Sequence, residues 1–330
     1  MSINLSRRCF NIAMASFAAA SAPTISHGEA RIDLARIIVG YPPGGSVDII
    51  SRKLAQRLSG SYARSVLVEN RPGAAGRLGV QAIKSLPADG SSMLITPASV
   101  LTLYPHLYKQ LGYDVFADLT PVAIVASFSF ALVVGAAVPM SVVTLDDFVK
   151  WCSANPALAQ CANAGAGSLP HFLAIRFSRE AAIEMTHVPY SGGLVALQAA
   201  AAGHVGAAIS TEASAVALVQ AGKLRVLATT GKSRSIMFPQ APTFAELGMT
   251  RVTQSEWFGA FMPAKAPVAL VATAANSLVA ALREPDIRET WNKLGLGAEG
   301  STSAELQRAL RNEYDFWGPM IKGSGFTPES

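Results

Sequence analysis

The residues best suited to chemistry cluster first in Val39-Gly40-Tyr41-Pro42-Pro43-Gly44-Gly45-Ser46-Val47-Asp48. Ile37 to Val39 reads as a buried strand, and Ile50, Leu54 and Leu58 follow at helical spacing. The stretch is therefore a strand end, a tight turn and a helix start. Two prolines stiffen the turn, two glycines let the backbone approach a ligand, and Ser46 is the expected N-cap. Unpaired N–H groups and the positive end of the helix dipole then form a site for a carboxylate or similar anion. Asp48 has two readings: it stabilises the first helical turn, or it accepts hydrogen bonds from a bound water or a ligand donor.

The same geometry recurs at Gly165-Ala166-Gly167-Ser168-Leu169-Pro170-His171 and at Pro189-Tyr190-Ser191-Gly192-Gly193. In open α/β sheets, ligands bind beyond the carboxyl ends of strands, so such turns can converge on one crevice. Backbone amides and the hydroxyls of Tyr41, Ser46, Ser168, Tyr190 and Ser191 would hold a carboxylate without any catalytic group. Candidate ligand contacts are thus Tyr41, Gly44, Gly45, Ser46 and Asp48 in the first turn, and Gly167, Ser168 and His171 in the second. Tyr190, Ser191, Gly192 and Gly193 form the third. Thr96, Ala98 and Ser99, from a loop after a short strand, and Thr211, at the end of another, complete the set.

Other chemistries lack their motifs. No phosphate-binding G-x-x-x-x-G-K-[ST] occurs, and Gly165-Ala166-Gly167 lacks the third glycine and the later acidic residue of a dinucleotide site. No G-x-S-x-G elbow is present, although Ser168 with His171 leaves an exported esterase as the alternative from another class. His106, His171, His187 and His204 have no metal-ligand spacing, so neither a metal nor a cofactor is expected.

The net charge of +5 is scattered without basic runs, which argues against nucleic acid. Half of the 330 residues are apolar, enough for a large core. Residues 1–30 read as an export signal: Arg7 and Arg8, an apolar stretch from Ile12 to Ala22, and small residues at the possible cleavage points Ala22 and Ala30. Ser6-Arg7-Arg8-Cys9-Phe10 fits either a twin-arginine or an ordinary Sec signal. Its removal takes away Cys9 and leaves Cys152 and Cys161, whose spacing permits a disulfide in an oxidising compartment without requiring one.

Strands and helices alternate along the chain, which predicts βαβ units and a mostly parallel sheet. Thr120 to Val138 reads as a long strand or strand pair crossing between domains, and Trp257 to Met262 as the return. A helix capped by Thr144 and a strand near Gly297 to Glu299 are also expected. The organisation predicted is a signal at 1–30, one lobe from 31–130 plus 253–330, and a second lobe from 131–252.

Taken together, Tyr41-Pro42-Pro43-Gly44-Gly45-Ser46 with Asp48, Val68-Glu69-Asn70-Arg71-Pro72-Gly73-Ala74 with Gly76, Ala88-Asp89-Gly90, Gly165-Ala166-Gly167-Ser168, Val188-Pro189-Tyr190, Pro242-Thr243-Phe244-Ala245-Glu246 and Trp257 with Gly259 carry a resemblance. The chain, from about residue 36 onward, resembles the Bug-type extracytoplasmic solute receptors of tripartite tricarboxylate transporters. That resemblance implies a type II periplasmic-binding-protein fold, α/β, with two lobes that close on a small organic acid. It implies a monomer in the periplasm that serves the membrane components of such a transporter or, alternatively, a sensor kinase. Residues 41–46 and 189–193 correspond to the loops that grip a ligand carboxylate. Two departures lie on the ligand-facing wall: Ser191 stands where Lys is usual, and Leu194-Val195-Ala196 where Ala-Pro-Ala is usual. The acid bound, whether a di- or tricarboxylate, an aromatic acid or an amino acid, therefore cannot be copied from relatives.

Overall fold

A computed structural model describes residues 32–324. The expected export signal lies outside the described residues.

β1 (Leu34–Val39) carries Ile37, Ile38 and Val39, all essentially inaccessible to solvent. Such a run needs cover on both faces, as the centre of a parallel sheet provides. Accordingly, β1 pairs in parallel with β2 (Ser65–Asn70) and β3 (Ser92–Pro97). β9 (Ser255–Pro263) lies antiparallel to β3. β4 (Leu119–Val134) runs beside β9 up to Ser129, then pairs with β7 (Ala207–Thr211) on one side and β8 (Arg225–Thr229) on the other. β5 (Gln160–Asn163) continues in parallel from β7, and β6 (Thr186–Pro189) forms the edge. The path is β2-β1-β3-β9-β4-β7-β5-β6, with β8 attached to β4.

Helices follow the strand ends: α1 (Ser46–Leu58), α2 (Arg77–Lys84), α3 (Ala98–Thr102), α4 (Leu145–Ala154), α5 (Leu169–Glu180), α6 (Gly193–Ala201) and α7 (Glu212–Gln220). α8 (Val268–Arg283), α9 (Pro285–Lys293) and α10 (Ser303–Ser324) complete the described chain. The Gly-rich turn before α2 has a steric purpose. A Cβ on Gly40 would meet the Gly76 carbonyl at 2.5 Å, and one on Gly79 would meet Gly40 Cα at 2.7 Å. Only glycines let this turn lie directly against the end of β1.

Several sequence expectations need adjustment. The stretch from Thr120 is one 16-residue strand rather than a pair, with register shifts at 121/123 and 124/126 in its pairing with β9 and at 132/133 in its pairing with β8. The strand expected at 297–299 is reduced to a bridge between Ser127 and Gly297. Thr96 and Pro97 end β3 instead of lying in a loop, and α3 opens at Ala98. Thr144 does cap α4, in a reciprocal box with Asp147. Cys152 and Cys161 are both buried free thiols, each pushed by burial up to about 12.

One large apolar cluster joins β1, β3, β4, β9 and the C-terminal helices. Trp291 of α9 is completely buried in it and donates its indole N–H to the Val125 carbonyl of β4 at 3.2 Å. Trp291→Ala would empty a large volume and orphan that carbonyl. We expect a loss of about 3–5 kcal/mol, measured by denaturant unfolding; a loss below about 1 kcal/mol would show that the surrounding helices repack freely.

Candidate ligand-binding site

Five strand-end turns surround a cavity of about 660 Å³, its open mouth included. The turn 41–47 leads into α1, 97–99 into α3, 168–170 into α5, 192–195 into α6 and 210–214 into α7. The floor is sheet. Phe128 and Phe130 of β4 and Glu256 and Phe258 of β9 alternate onto one face, while Ser129 and Ser255 meet each other through their hydroxyls at 3.2 Å. Phe128 stacks on Phe258 at 4.2 Å and meets Phe130 edge-on at 5.4 Å.

Of the residues picked out in the sequence, Tyr41, Gly45, Ser46, Ser99, Ser168, Gly192, Gly193 and Thr211 line the cavity. Gly44, Asp48, Thr96, Ala98, Gly167, His171, Tyr190 and Ser191 do not. Most of this second group shapes the walls. Gly44, at φ +87°, points its N–H at Asp48 Oδ2, 2.9 Å away. Gly167 donates its N–H to His171 Nδ1 at 2.9 Å. Ala98 begins α3, Thr96 is buried at the end of β3, and Tyr190 ties its N–H to the Asn163 carbonyl at 2.9 Å. Ser191 is exposed.

Asp48 resolves in favour of the scaffold. Its carboxylate accepts from Gly44 N–H, from Arg52 Nε at 2.8 Å and from Asn70 Nδ2 at 2.9 Å, and Asn70 also holds the Tyr41 carbonyl at 3.0 Å. Burial pushes this carboxyl up, but the hydrogen bonds from Arg52, Gly44 and Asn70 outweigh it and hold it below the ordinary range. The turn is thus pinned from behind, with no side chain taken from the cavity.

Ser46 is not the N-cap. Gly45 is, and Ser46 is the first helical residue. Its N–H donates to Ser214 Oγ at 3.2 Å, and its hydroxyl lies 3.2 Å from Thr211 Oγ1. Tertiary partners have displaced the local cap. α1, with Gly45 at the cap, and α6, with Gly192, both begin without a cap from the N-cap side chain; Ser214 Oγ takes the first N–H of α1, at Ser46, while the later first-turn N–H groups of α1 and those of α6 keep the open donors of a helix start. α5 and α7 differ: Ser168 Oγ accepts from His171 N–H at 3.4 Å, and Thr211 Oγ1 from Ser214 N–H at 3.4 Å. A Cβ at Gly193 would meet Ser210 Oγ, so a side chain there would have to displace that hydroxyl. Among the described residues that buried hydroxyl has no hydrogen-bond partner. No lysine, arginine or histidine lines the cavity, so any attraction for an anion comes from helix starts and hydroxyls.

Sequence reasoning missed Ser210, Ser214, the phenylalanines and Glu256. A signal for Glu256 was present: it is the lone charge in the otherwise uncharged strand from Ser255 to Pro263. It is 3% exposed, and its Oε1 accepts the Ser99 N–H at 2.7 Å. Burial pushes its carboxyl up to about 8, with Glu313 adding to the rise and the Ser99 hydroxyl and amide opposing it. Burial likewise pushes His171 down, and His187 down to about 4, where their rings meet at 4.9 Å behind the 165–168 turn.

Removing the Asp48 carboxylate by Asp48→Ala strands the Gly44 N–H, Asn70 and Arg52 together; a loss of about 2–4 kcal/mol in urea unfolding is expected, and an unchanged midpoint would refute its pinning role. Glu256 sets a pH dependence. The folded state holds its proton up to about 8, whereas the unfolded chain releases it near the ordinary glutamate range of about 4.3. The unfolded state therefore binds fewer protons over that interval, and stability falls as pH rises through it. Melting scans from pH 5 to 9 should show a larger loss for the native chain than for Glu256→Gln; parallel curves would refute the protonated carboxyl.

Comparison with known proteins agrees with this geometry. Residues 50–326 match the family described as "Tripartite tricarboxylate transporter family receptor". A Cupriavidus necator protein encoded in the gbd 5' region is 33% identical over 261 residues, covering 79% of this chain and 78% of that one. BugT of Bordetella pertussis is 29% identical over 291 residues, covering 88% and 89%. Among solved structures, Rpa4515 of R. palustris with adipate superposes at a TM-score of 0.85 with 26% identity, covering 94% of this chain and 100% of that one. The periplasmic binding protein BugD superposes at 0.84 with 23% identity, covering 90% and 99%, which supports the fold. Fold, turns and sequence converge: the chain belongs to the receptor family of the tripartite tricarboxylate transporters.

Proposed function

We propose that this protein captures a small organic carboxylate in the cavity beside Ser46 and Gly193 and presents it to the membrane components of a tripartite tricarboxylate-type transporter. The observation that carries this reading is the pair of glycine-capped helix starts, α1 and α6, facing one cavity, with a side chain on only the Ser46 N–H of α1. Rpa4515, solved with adipate, supports a carboxylate as the ligand class. Ligand binding would be divided between two lobes, 31–130 plus 253–330 and 131–252, with β4 and β9 as the crossings. An export signal in 1–30 would deliver the chain to the periplasm as a monomer.

Catalysis is not part of this reading. Ser168 Oγ is engaged as a helix cap by the His171 backbone, and the His171 ring takes the Gly167 N–H through Nδ1 instead of facing that hydroxyl. In this arrangement His171 does not serve Ser168 as a general base.

A thermal-shift screen against mono-, di- and tricarboxylates, aromatic acids and amino acids tests the proposal. A ligand at one hundred times its Kd adds roughly 2.7 kcal/mol, a shift of several degrees. The hit should disappear when its carboxylate is amidated, and Gly193→Leu should lose it while still folding. Responses confined to uncharged compounds would overturn the carboxylate assignment.

A further inference from the structure

Glu256 is the feature of the cavity that a general carboxylate receptor does not need. It is buried, it lines the cavity, and among the described residues its side chain is hydrogen-bonded by Ser99, through the amide and the hydroxyl. No basic side chain on the lining offers it a partner. Phe128, Phe130 and Phe258 line the same floor, with Phe128 stacked on Phe258 and edge-on to Phe130. A carboxyl group with three aromatic rings and no competing cation is an environment for a positive charge.

The strand register places it relative to the anion turns. Glu256 of β9 lies opposite Phe128, and Thr211 of β7 lies opposite Phe130, on the two sides of β4. Two strand spacings across and two residues along separate their Cα atoms by roughly 12 Å. With both side chains reaching into the cavity, the remaining gap suits a molecule of a few heavy atoms, its charges at opposite ends. A second ligand carboxylate at the Glu256 end would meet an acid there, whereas an ammonium would meet a partner.

We propose that Glu256 is the specificity-determining residue of this cavity and that the solute is a zwitterion, with a primary ammonium received by Glu256 and a carboxylate by the starts of α1 and α6. The assignment rests on the carboxylate-receptor reading and narrows it. Besides Ser99, the titratable groups bearing on Glu256 are Glu313 of α10, pushed by burial up to about 7, and the Tyr41 phenol, raised by burial; neither supplies a positive charge. The empty cavity therefore keeps Glu256 protonated near neutral pH. Ammonium binding ionises it, and the proton leaves to the solvent.

Titration calorimetry on the purified chain at pH 7, with matched probe pairs, decides the matter. The pairs are 4-aminobutyrate and butyrate, aspartate and succinate, and phenylalanine and 3-phenylpropionate. At least one aminated member should bind about 100-fold more tightly than its deaminated partner, and buffers of different ionisation enthalpy should report close to one proton released. In Glu256→Gln the two members should fall within about threefold of each other. Should that variant fail to fold, the native chain's amine preference and proton release still decide. Deaminated acids binding as tightly as their partners, or an amine preference that survives Glu256→Gln, would overturn the assignment while leaving the receptor reading intact. Succinate binding best, with affinity falling from pH 6 to 9, would instead make Glu256 a neutral donor and also overturn it. If no acid bound, aminated or not, the receptor reading would fail as well.

Discussion

Everything about this site depends on β4 being shared. Sixteen residues of one strand serve β9 over their first part and β7 and β8 over their last, with register shifts inside the β9 ladder and inside the β8 ladder. Such irregularities bend and twist a strand, which helps one strand run through both halves of the sheet. Because side chains alternate along it, the same strand sends Phe128 and Phe130 to the cavity floor and turns Ser127 and Ser129 away. The turns before α1 and α3 belong to strands on one side of this junction, and those before α5, α6 and α7 to strands on the other. Their convergence is a property of the junction rather than of any one turn.

Within that frame, the cavity attracts an anion without a cation. A lysine or arginine would have to be desolvated in a space lined by phenylalanine and proline, at a cost that only a tightly paired ligand would offset. Helix starts avoid that cost, since their N–H groups are fixed by the backbone and are left open by helix geometry. The protein puts glycine at both caps and links the nearby hydroxyls of Ser46, Thr211 and Ser214 in a small network across the two walls, at the expense of one α1 donor, the Ser46 N–H, which Ser214 Oγ takes. Asp48 and Asn70 then fix the first turn from outside the cavity, so rigidity is obtained without occupying the binding space.

The alternation of strands and helices, the turn at 41–48, the Thr144 cap and the glycine-rich approach at 73–79 were all legible in the residues themselves. Each follows from local chemistry: proline and glycine restrict or free the backbone, hydroxyls cap helices, and apolar spacing reports which face is buried. Half of the candidate site was legible for the same reason, because turn residues that end strands in an α/β sheet point toward the crevice. Tyr41, Gly45, Ser46, Ser99, Ser168, Gly192, Gly193 and Thr211 were found in that way.

What the residues alone could not decide was which group on each turn faces inward. Asp48 and Ser46 sit two apart on one helix start, yet the first is held from behind by Arg52 and Asn70, and the second is drawn across the cavity by Thr211 and Ser214. Those partners come from strands and helices distant in sequence. Glu256 shows the same limit more sharply. Its charge in an uncharged strand was visible, but its place opposite Phe128 depends on the pairing of β4 with β9, more than a hundred residues apart. Local propensities therefore determined the elements and their turns, while long-range strand register determined which side chains share the cavity, because register is set by the packing of whole strands and not by any residue within them.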